Sequence, residues 1–256
     1  MKMWQDESPL SRNTTTCKRY EQECASVTLH RLERLHIAPS TTVHHLISLQ
    51  ATRTPGILAV VHKTQSLTYA QLERQANQLA HALLRRKIGR GVCVGVYLPC
   101  CIDLLIALLA IYKAGSCFLL LELASSPSLA LAQLACSEVP LILSHEKISK
   151  QLASYHTDLL CLDRDQFLWI GESSSVPLVP CSSEQVACVM FCSDVICQSQ
   201  NVYLRHKDIV QLLYWKSHSF FSEVPIDVSP FPSLCFDMPI LNLFGPLFQG
   251  GTVILG

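Results

Sequence analysis

The strand–helix–strand unit at residues 92–123 limits the possible folds of this chain more than any other feature. VCVGVYLP predicts a buried strand, CIDLLIALLAIYKAG predicts a helix and SCFLLLEL predicts a second strand. Because a helix joins the strands through short connections, we expect them to pair in parallel through a right-handed crossover. The apolar part of the helix, LLIALLAIY, is much shorter than the roughly 18 residues that a membrane span needs, so we predict a buried core helix.

The same alternation of strands and helices continues on both sides of this unit. TTVHHLISLQATRTPG predicts a helix that ends before Pro55, because the residue before proline disfavours helix. LTYAQLERQANQLAHALLRRKIGRG predicts a longer helix, in which Thr68 and Gln71 have the spacing of a capping box. The other predicted elements are the strand ILAVVHK, the helix SLALAQLACSEVP, the strand LILSH, an irregular region up to about Ser183, the strand VACVMF, the helix RHKDIVQLLYWKSHSF, and the strands PSLCF and GTVILG around LNLFGPLF. We therefore predict an α/β fold of mostly parallel sheets flanked by helices.

Charge and cysteine usage exclude several classes of function. Lysine plus arginine and aspartate plus glutamate both total 20, so the net charge is zero and no basic stripe indicates a nucleic-acid partner. The thirteen cysteines include no CxxC pair, and the N-terminus MKMWQDESPL lacks the apolar segment of a signal peptide. Cys188, Cys192 and Cys197 lack zinc-ligand spacing. We expect a reduced, cytoplasmic protein with no membrane contact and no metal site.

Three sequence blocks stand in an order that resembles a known family. They are TVHHLISLQATRTPGILAVVHKTQSLTYAQLERQANQLAHALL, the region around IYKAGSCFLLLEL, and FDMPILNLFGPLFQGGTVIL. The blocks are similar to adenylation domains of nonribosomal peptide synthetases, within the adenylate-forming (AMP-binding) superfamily. The resemblance covers residues 42–256 and implies the N-terminal part of the acyl-CoA synthetase-like large domain. Residues 1–41 are predicted to be a poorly ordered leader or linker.

The resemblance implies a two-step ligase chemistry. A carboxylate attacks the α-phosphate of ATP, pyrophosphate leaves, and the acyl-adenylate passes to the pantetheine thiol of a carrier protein. The implied ligands are therefore ATP, Mg²⁺ and an amino acid or related carboxylate, and the implied partners are a carrier protein or other synthetase domains. Such a reaction needs cationic or backbone donors around the phosphates.

The stretch CSDVICQSQN, Cys192 to Asn201, falls where the family places its phosphate loop, Tyr-Thr-Ser-Gly-Ser-Thr-Gly-x-Pro-Lys-Gly. Within the loop only Ser193 matches, and His206 falls on a family histidine shortly after it. These two residues are the candidate nucleotide-binding residues. The remaining differences are Asp194, Cys197 and Asn201 in place of glycines, Val195 and Ile196 in place of hydroxyl residues, and Gln200 in place of the lysine.

Each of these replacements weakens the binding of a phosphate group by the loop. Glycine lets backbone N–H groups turn around a phosphate at positive φ, which valine and isoleucine disfavour. The lysine supplies the positive charge of the loop, whereas Asp194 adds a negative charge that repels an anion. We expect the loop to bind triphosphate poorly and no cofactor to bind tightly.

The block FDMPIL carries the candidate substrate residues. By resemblance, Asp237 pairs with the α-ammonium group of an amino acid, and Met238 and Leu241 are side-chain selectivity residues. A carboxylate is the simplest partner for an ammonium group. The alternative for Asp237 is a capping or turn aspartate before a helix.

The family segments that complete the ATP site and carry the catalytic lysine do not follow Gly256 in this sequence. We therefore expect a truncated, degenerate adenylation domain without catalytic residues or activity. Two alternatives stay open: a non-catalytic binding or interaction module that keeps the fold, and half of a split ligase completed by another chain.

Overall fold

The computed structural model describes residues 38, 40–121, 123, 127–135, 137–152, 155, 157–192, 200–219, 226–228 and 237–256. By internal contacts the chain divides into Met1–Ile37 and Ala38–Gly256, and the elements below belong to the second unit. The helices are α1 Val43–Arg53, α2 Tyr69–Arg85, α3 Ile102–Lys113, α4 Pro127–Ala135, α5 Glu146–Ser149, α6 His206–Ser219 and α7 Asp237–Gln249. The strands are β1 Leu58–His62, β2 Gln65–Thr68, β3 Cys93–Tyr97, β4 Cys117–Leu120, β5 Leu141–Ser144, β6 Asp158–Cys161, β7 Val186–Cys192, β8 Gln200–Arg205, β9 Ile226–Val228 and β10 Val253–Leu255.

The described strands form two sheets. The larger sheet has the order β6-β5-β3-β4-β7-β8, and every neighbouring pair is parallel except β7 and β8. The smaller sheet has the order β2-β1-β10-β9, in which only β1 and β2 are antiparallel. The predicted α/β class is therefore confirmed, with mixed sheets that are mostly parallel.

The helix α3 is the centre of the core. Its residues are buried except for the partly exposed Asp103, and it contacts strands of both sheets as well as α1 and α2. Gly115 follows the helix with φ of +76°, and a Cβ there would lie 2.8 Å from a Val179 methyl carbon. Within the described residues, no helix has the length and apolar character needed to cross a membrane.

Several predicted elements are confirmed and others were missed. The helix before Pro55 ends at Arg53, and the capping box of α2 is formed: Thr68 Oγ1 accepts from the Gln71 amide, and Gln71 Oε1 accepts from the Thr68 amide. The segment LNLFGPLF lies in α7. The structure adds the strands β2, β6, β8 and β9, and β6 lies within the region predicted to be irregular. The predicted strand PSLCF lies outside the described residues.

Candidate functional site

The phosphate-loop position lies between the two strands of a hairpin. β7 and β8 pair antiparallel up to Cys192 and Gln200, with Phe191 opposite Asn201. We predicted a strand, a polar stretch and then a helix, and the structure places β8 between the stretch and that helix. Because β7 is parallel to β4, its carboxyl end lies at the same sheet edge as the carboxyl ends of β3, β4 and β5. Ligands of open α/β sheets bind at such an edge. Ser193 lies outside the described residues.

His206 is the first residue of α6 and is 1% exposed. Its backbone amide donates to the Gln185 carbonyl at 3.0 Å, and its Nδ1 accepts from the Val43 amide at 3.4 Å. Its ring also meets the rings of Tyr112 and His44 edge-on, with centroids 4.7 Å and 5.6 Å apart. The side chain is thus packed among α1, α3 and α6.

Burial decides the charge of this histidine. Desolvation lowers the pKa of His206 to about 4, because the charged imidazolium would lose its hydration. Burial, with the nearby His206, also lowers the pKa of His44 well below its usual value. Both rings are therefore neutral at pH 7, and His206 does not supply a positive charge to a phosphate.

The cations next to the hairpin are already paired. Arg205 and Lys207 bind the carboxylate of Glu184 at 2.7 Å and 2.8 Å, and these hydrogen bonds, led by that from Lys207, lower the pKa of Glu184. The backbone amides at the start of α6 are occupied as well. The amide of Arg205 donates to Asp208 Oδ2, that of His206 to Gln185, and that of Lys207 to Ser183. A helix N-terminus binds anions through such amides, so these three are not available for a phosphate.

The candidate substrate residues lie on α7. Asp237 and Met238 occupy its first two positions, and Leu241 is 3% exposed. One turn beyond Leu241, the ring of Phe244 packs against Tyr112 with centroids 5.8 Å apart. Tyr112 also contacts His206, so the structure brings the start of α6 and the middle of α7 together around one buried tyrosine. We did not predict this role for Tyr112, since only its place in the apolar helix was visible in the sequence.

An ion pair between the buried Lys113 and the partly buried Glu73 lies next to Tyr112 and was also missed. Lys113, with a side chain 1% exposed, has Nζ 2.6 Å from Glu73 Oε1 and 2.9 Å from Ser48 Oγ. Burial lowers the pKa of Lys113, and Glu73 opposes that shift. A surface cleft of about 390 Å³ reaches Glu73 and is lined by Asn77 and Ser174 among others, but by none of the predicted site residues. The sequence feature that could have indicated this ion pair is a lysine at the end of an apolar helix.

Comparison with known proteins identifies the family to which this chain belongs. The model of the family described as AMP-binding enzyme matches residues 47–256. The chain belongs to the AMP-binding enzyme family. Its relatives include tyrocidine synthase 2 of Brevibacillus parabrevis, 27% identical over 92% of this chain and 6% of that synthase. Another is AMB antimetabolite synthetase AmbB of Pseudomonas aeruginosa, 30% identical over 85% of this chain and 17% of the synthetase.

A solved structure shows the same fold. The nonribosomal peptide synthetase FmoA3 in its AMPPNP-bound form matches with a TM-score of 0.75 and 25% identity, over 86% of this chain and 23% of that one. The fold is therefore that of part of an adenylation domain. The chain spans less than a fifth of the length of tyrocidine synthase 2 and of AmbB.

AMP-binding enzymes use ATP and Mg²⁺, and the described residues do not fit a triphosphate at the start of α6. The histidine there is neutral, and the two neighbouring cations and three backbone amides already have partners. Binding of a polyanion there would break these hydrogen bonds and ion pairs. None of those residues has an unpaired positive charge that would attract the polyanion in return.

Proposed function

We propose that this chain is a partial adenylation domain, related to amino-acid activation in nonribosomal peptide synthesis, that does not itself form an acyl-adenylate. One observation carries the proposal: the stretch between the paired ends of β7 and β8 contains neither glycine nor lysine. Such a loop lacks the backbone freedom and the charge that hold a phosphate. The paired cations and neutral histidine beside the hairpin support the same conclusion.

The amino-acid side of the site is assigned to the start of α7 by the family resemblance of FDMPIL. We infer that Asp237 pairs with the α-ammonium group of an amino acid and that Met238 and Leu241 line the pocket for its side chain. Asp237 is also the first residue of α7, where a carboxylate is stabilised by the positive end of the helix dipole, so a structural role at the helix start is the alternative. A carrier protein or another synthetase domain, in the cytoplasm, is the expected partner.

An ATP–pyrophosphate exchange assay tests the absence of activity. The full chain is incubated with ATP, Mg²⁺, labelled pyrophosphate and each proteinogenic amino acid in turn, with an active adenylation domain as the positive control. We expect no amino-acid-dependent exchange. Exchange that depends on one amino acid would overturn the proposal.

Calorimetric titration separates loss of nucleotide binding from loss of amino-acid binding. We expect AMPPNP with Mg²⁺ to produce no saturable heat. If an amino acid binds, Asp237→Asn should abolish that binding, whereas Asp208→Asn, which changes a carboxylate bonded to a local backbone amide, should not. Equal binding by the wild type and Asp237→Asn would remove Asp237 from the site.

A further inference from the structure

Three potential metal ligands meet at the carboxyl edge of the larger sheet. Cys101 is the N-cap of α3, Asp103 lies in the first turn of that helix, and His145 directly follows β5. β3 and β5 are parallel neighbours with Tyr97 opposite Ser144, so the segments that leave the two strands lie side by side. One ligand atom from each of the three residues lies within 4.8 Å of the other two.

The three side chains differ in chemistry in a way that favours a particular class of ion. A thiolate, an imidazole and a carboxylate are all ligands of zinc, whereas Mg²⁺ and Ca²⁺ prefer oxygen atoms alone. Three protein ligands leave one tetrahedral position for water, as in zinc sites with an open position. Cys101 lies at the N-terminus of α3, but burial raises the pKa of its thiol to about 11, so a bound ion has to displace the thiol proton.

The geometry requires small side-chain adjustments. Zinc bonds of about 2.0 to 2.3 Å place tetrahedral ligand atoms about 3.3 to 3.7 Å apart, and the present atoms all lie within 4.8 Å of one another, so no separation has to close by more than roughly 1.5 Å. His145 Nε2 and Asp103 Oδ2 now lie 2.8 Å apart as a hydrogen-bonded pair and would separate slightly around the ion. The side chains of Asp103 and His145 are 35% and 21% exposed, which leaves an entry path from solvent, while Cys101 is 8% exposed.

We propose that Cys101, Asp103 and His145 form a binding site for a zinc-like divalent metal ion. This departs from our sequence-based prediction that the chain has no metal site. The individual residues gave no signal, because two helices and two strands separate Cys101 from His145 and only the parallel pairing of β3 with β5 brings them together. Binding replaces the thiol proton of Cys101 and any proton on His145, and both pass to the buffer. The ion would fasten the start of α3 to the end of β5.

Cobalt titration of the purified full chain tests the site. Co²⁺ bound to a thiolate gives a charge-transfer absorption band, and tetrahedral Co²⁺ gives intense visible bands. We expect one equivalent of Co²⁺ to produce both, and one equivalent of Zn²⁺ to remove them. Cys101→Ser should eliminate the charge-transfer band, and His145→Gln should weaken binding at least tenfold.

Cys100→Ser is the matched control, because it removes the neighbouring thiol without touching the cluster. It should bind Co²⁺ as the wild type does. The chain has thirteen cysteines, so metal could bind elsewhere. Wild-type spectra that persist in both Cys101→Ser and His145→Gln, or no thiolate band in the wild type, would overturn the proposal.

Alkylation of the wild type gives a readout that does not depend on the folding of a variant. With Zn²⁺ present, we expect iodoacetamide to modify Cys101 at least tenfold more slowly, with Cys100 as the internal reference in mass spectrometry. Equal modification of Cys101 with and without Zn²⁺ would contradict the site. Neither ATP nor an amino acid enters these assays, so their outcome is independent of the proposed function.

Discussion

His206 shows how one buried side chain can be part of a family pattern without the charge that a phosphate site needs. The sequence match placed it after the phosphate loop, but its burial depends on Val43 and Tyr112, which are distant in the chain. Desolvation by these neighbours keeps the ring neutral. The chemistry of the residue is therefore set by tertiary packing, and sequence position alone could not predict it.

The lowered pKa of His206 predicts a loss of stability in acid. The unfolded chain takes up the proton below its ordinary pKa of about 6.5, but the folded chain does so only near pH 4, so stability is lost as the pH falls through that window. We expect this residue to account for about 2 kcal/mol of the decrease in unfolding free energy between roughly pH 7 and 4.5. Urea unfolding at the two pH values should show a smaller decrease for His206→Gln than for the wild type. An equal decrease would contradict the assignment.

The ion pair of the buried Lys113 with the partly buried Glu73 predicts a coupled effect on stability. Glu73→Gln leaves the ammonium group of Lys113 buried without its counter-charge, so we expect a loss of about 3 kcal/mol in unfolding free energy. The double variant with Lys113→Met contains neither charge and should be more stable than Glu73→Gln alone. Urea unfolding of the wild type, both single variants and the double variant measures the coupling. Additive losses would show that the two charges do not depend on each other.

At the level of elements, the helices were easier to predict than the strands. The long apolar run of α3 and the capping box of α2 are local signals, and both helices form where predicted. β2, β6, β8 and β9 contain three to six residues each, and their identity as strands depends on partners that the local sequence does not contain. The hairpin around the phosphate-loop position was missed for this reason.

The capping box makes a direct prediction for α2. Thr68→Ala removes the oxygen that accepts from the Gln71 amide, so the helix start loses a hydrogen bond that water replaces only in part. We expect a loss of about 1 kcal/mol in unfolding free energy, measured by urea unfolding. Thr64→Ala, in the exposed turn between β1 and β2, is the control and should change stability by less than about 0.5 kcal/mol. Equal effects of the two variants would show that the cap contributes nothing specific.

At the scale of the whole molecule, the family match and the contact pattern concern nearly the same part of the chain. The family model covers residues 47–256, and the second unit extends from Ala38 to Gly256. The parallel pairing within this unit also juxtaposes Cys101 and His145, which the linear sequence separates. The overall class was predictable because alternating strands and helices are a local pattern, whereas the metal cluster required the strand order.

The division of the chain predicts that residues 1–37 contribute little to the stability of the rest. We predicted a leader or linker up to residue 41, and contacts group Ala38–Gly256 as one unit. A variant that lacks residues 1–37 should therefore unfold in urea with a free energy within about 0.5 kcal/mol of the full chain and with a similar dependence on urea concentration. Because that dependence reports the surface exposed on unfolding, a clear decrease would mean that the first unit is part of the same cooperative structure. Such a decrease would disprove the proposed boundary even if the shortened chain still folded.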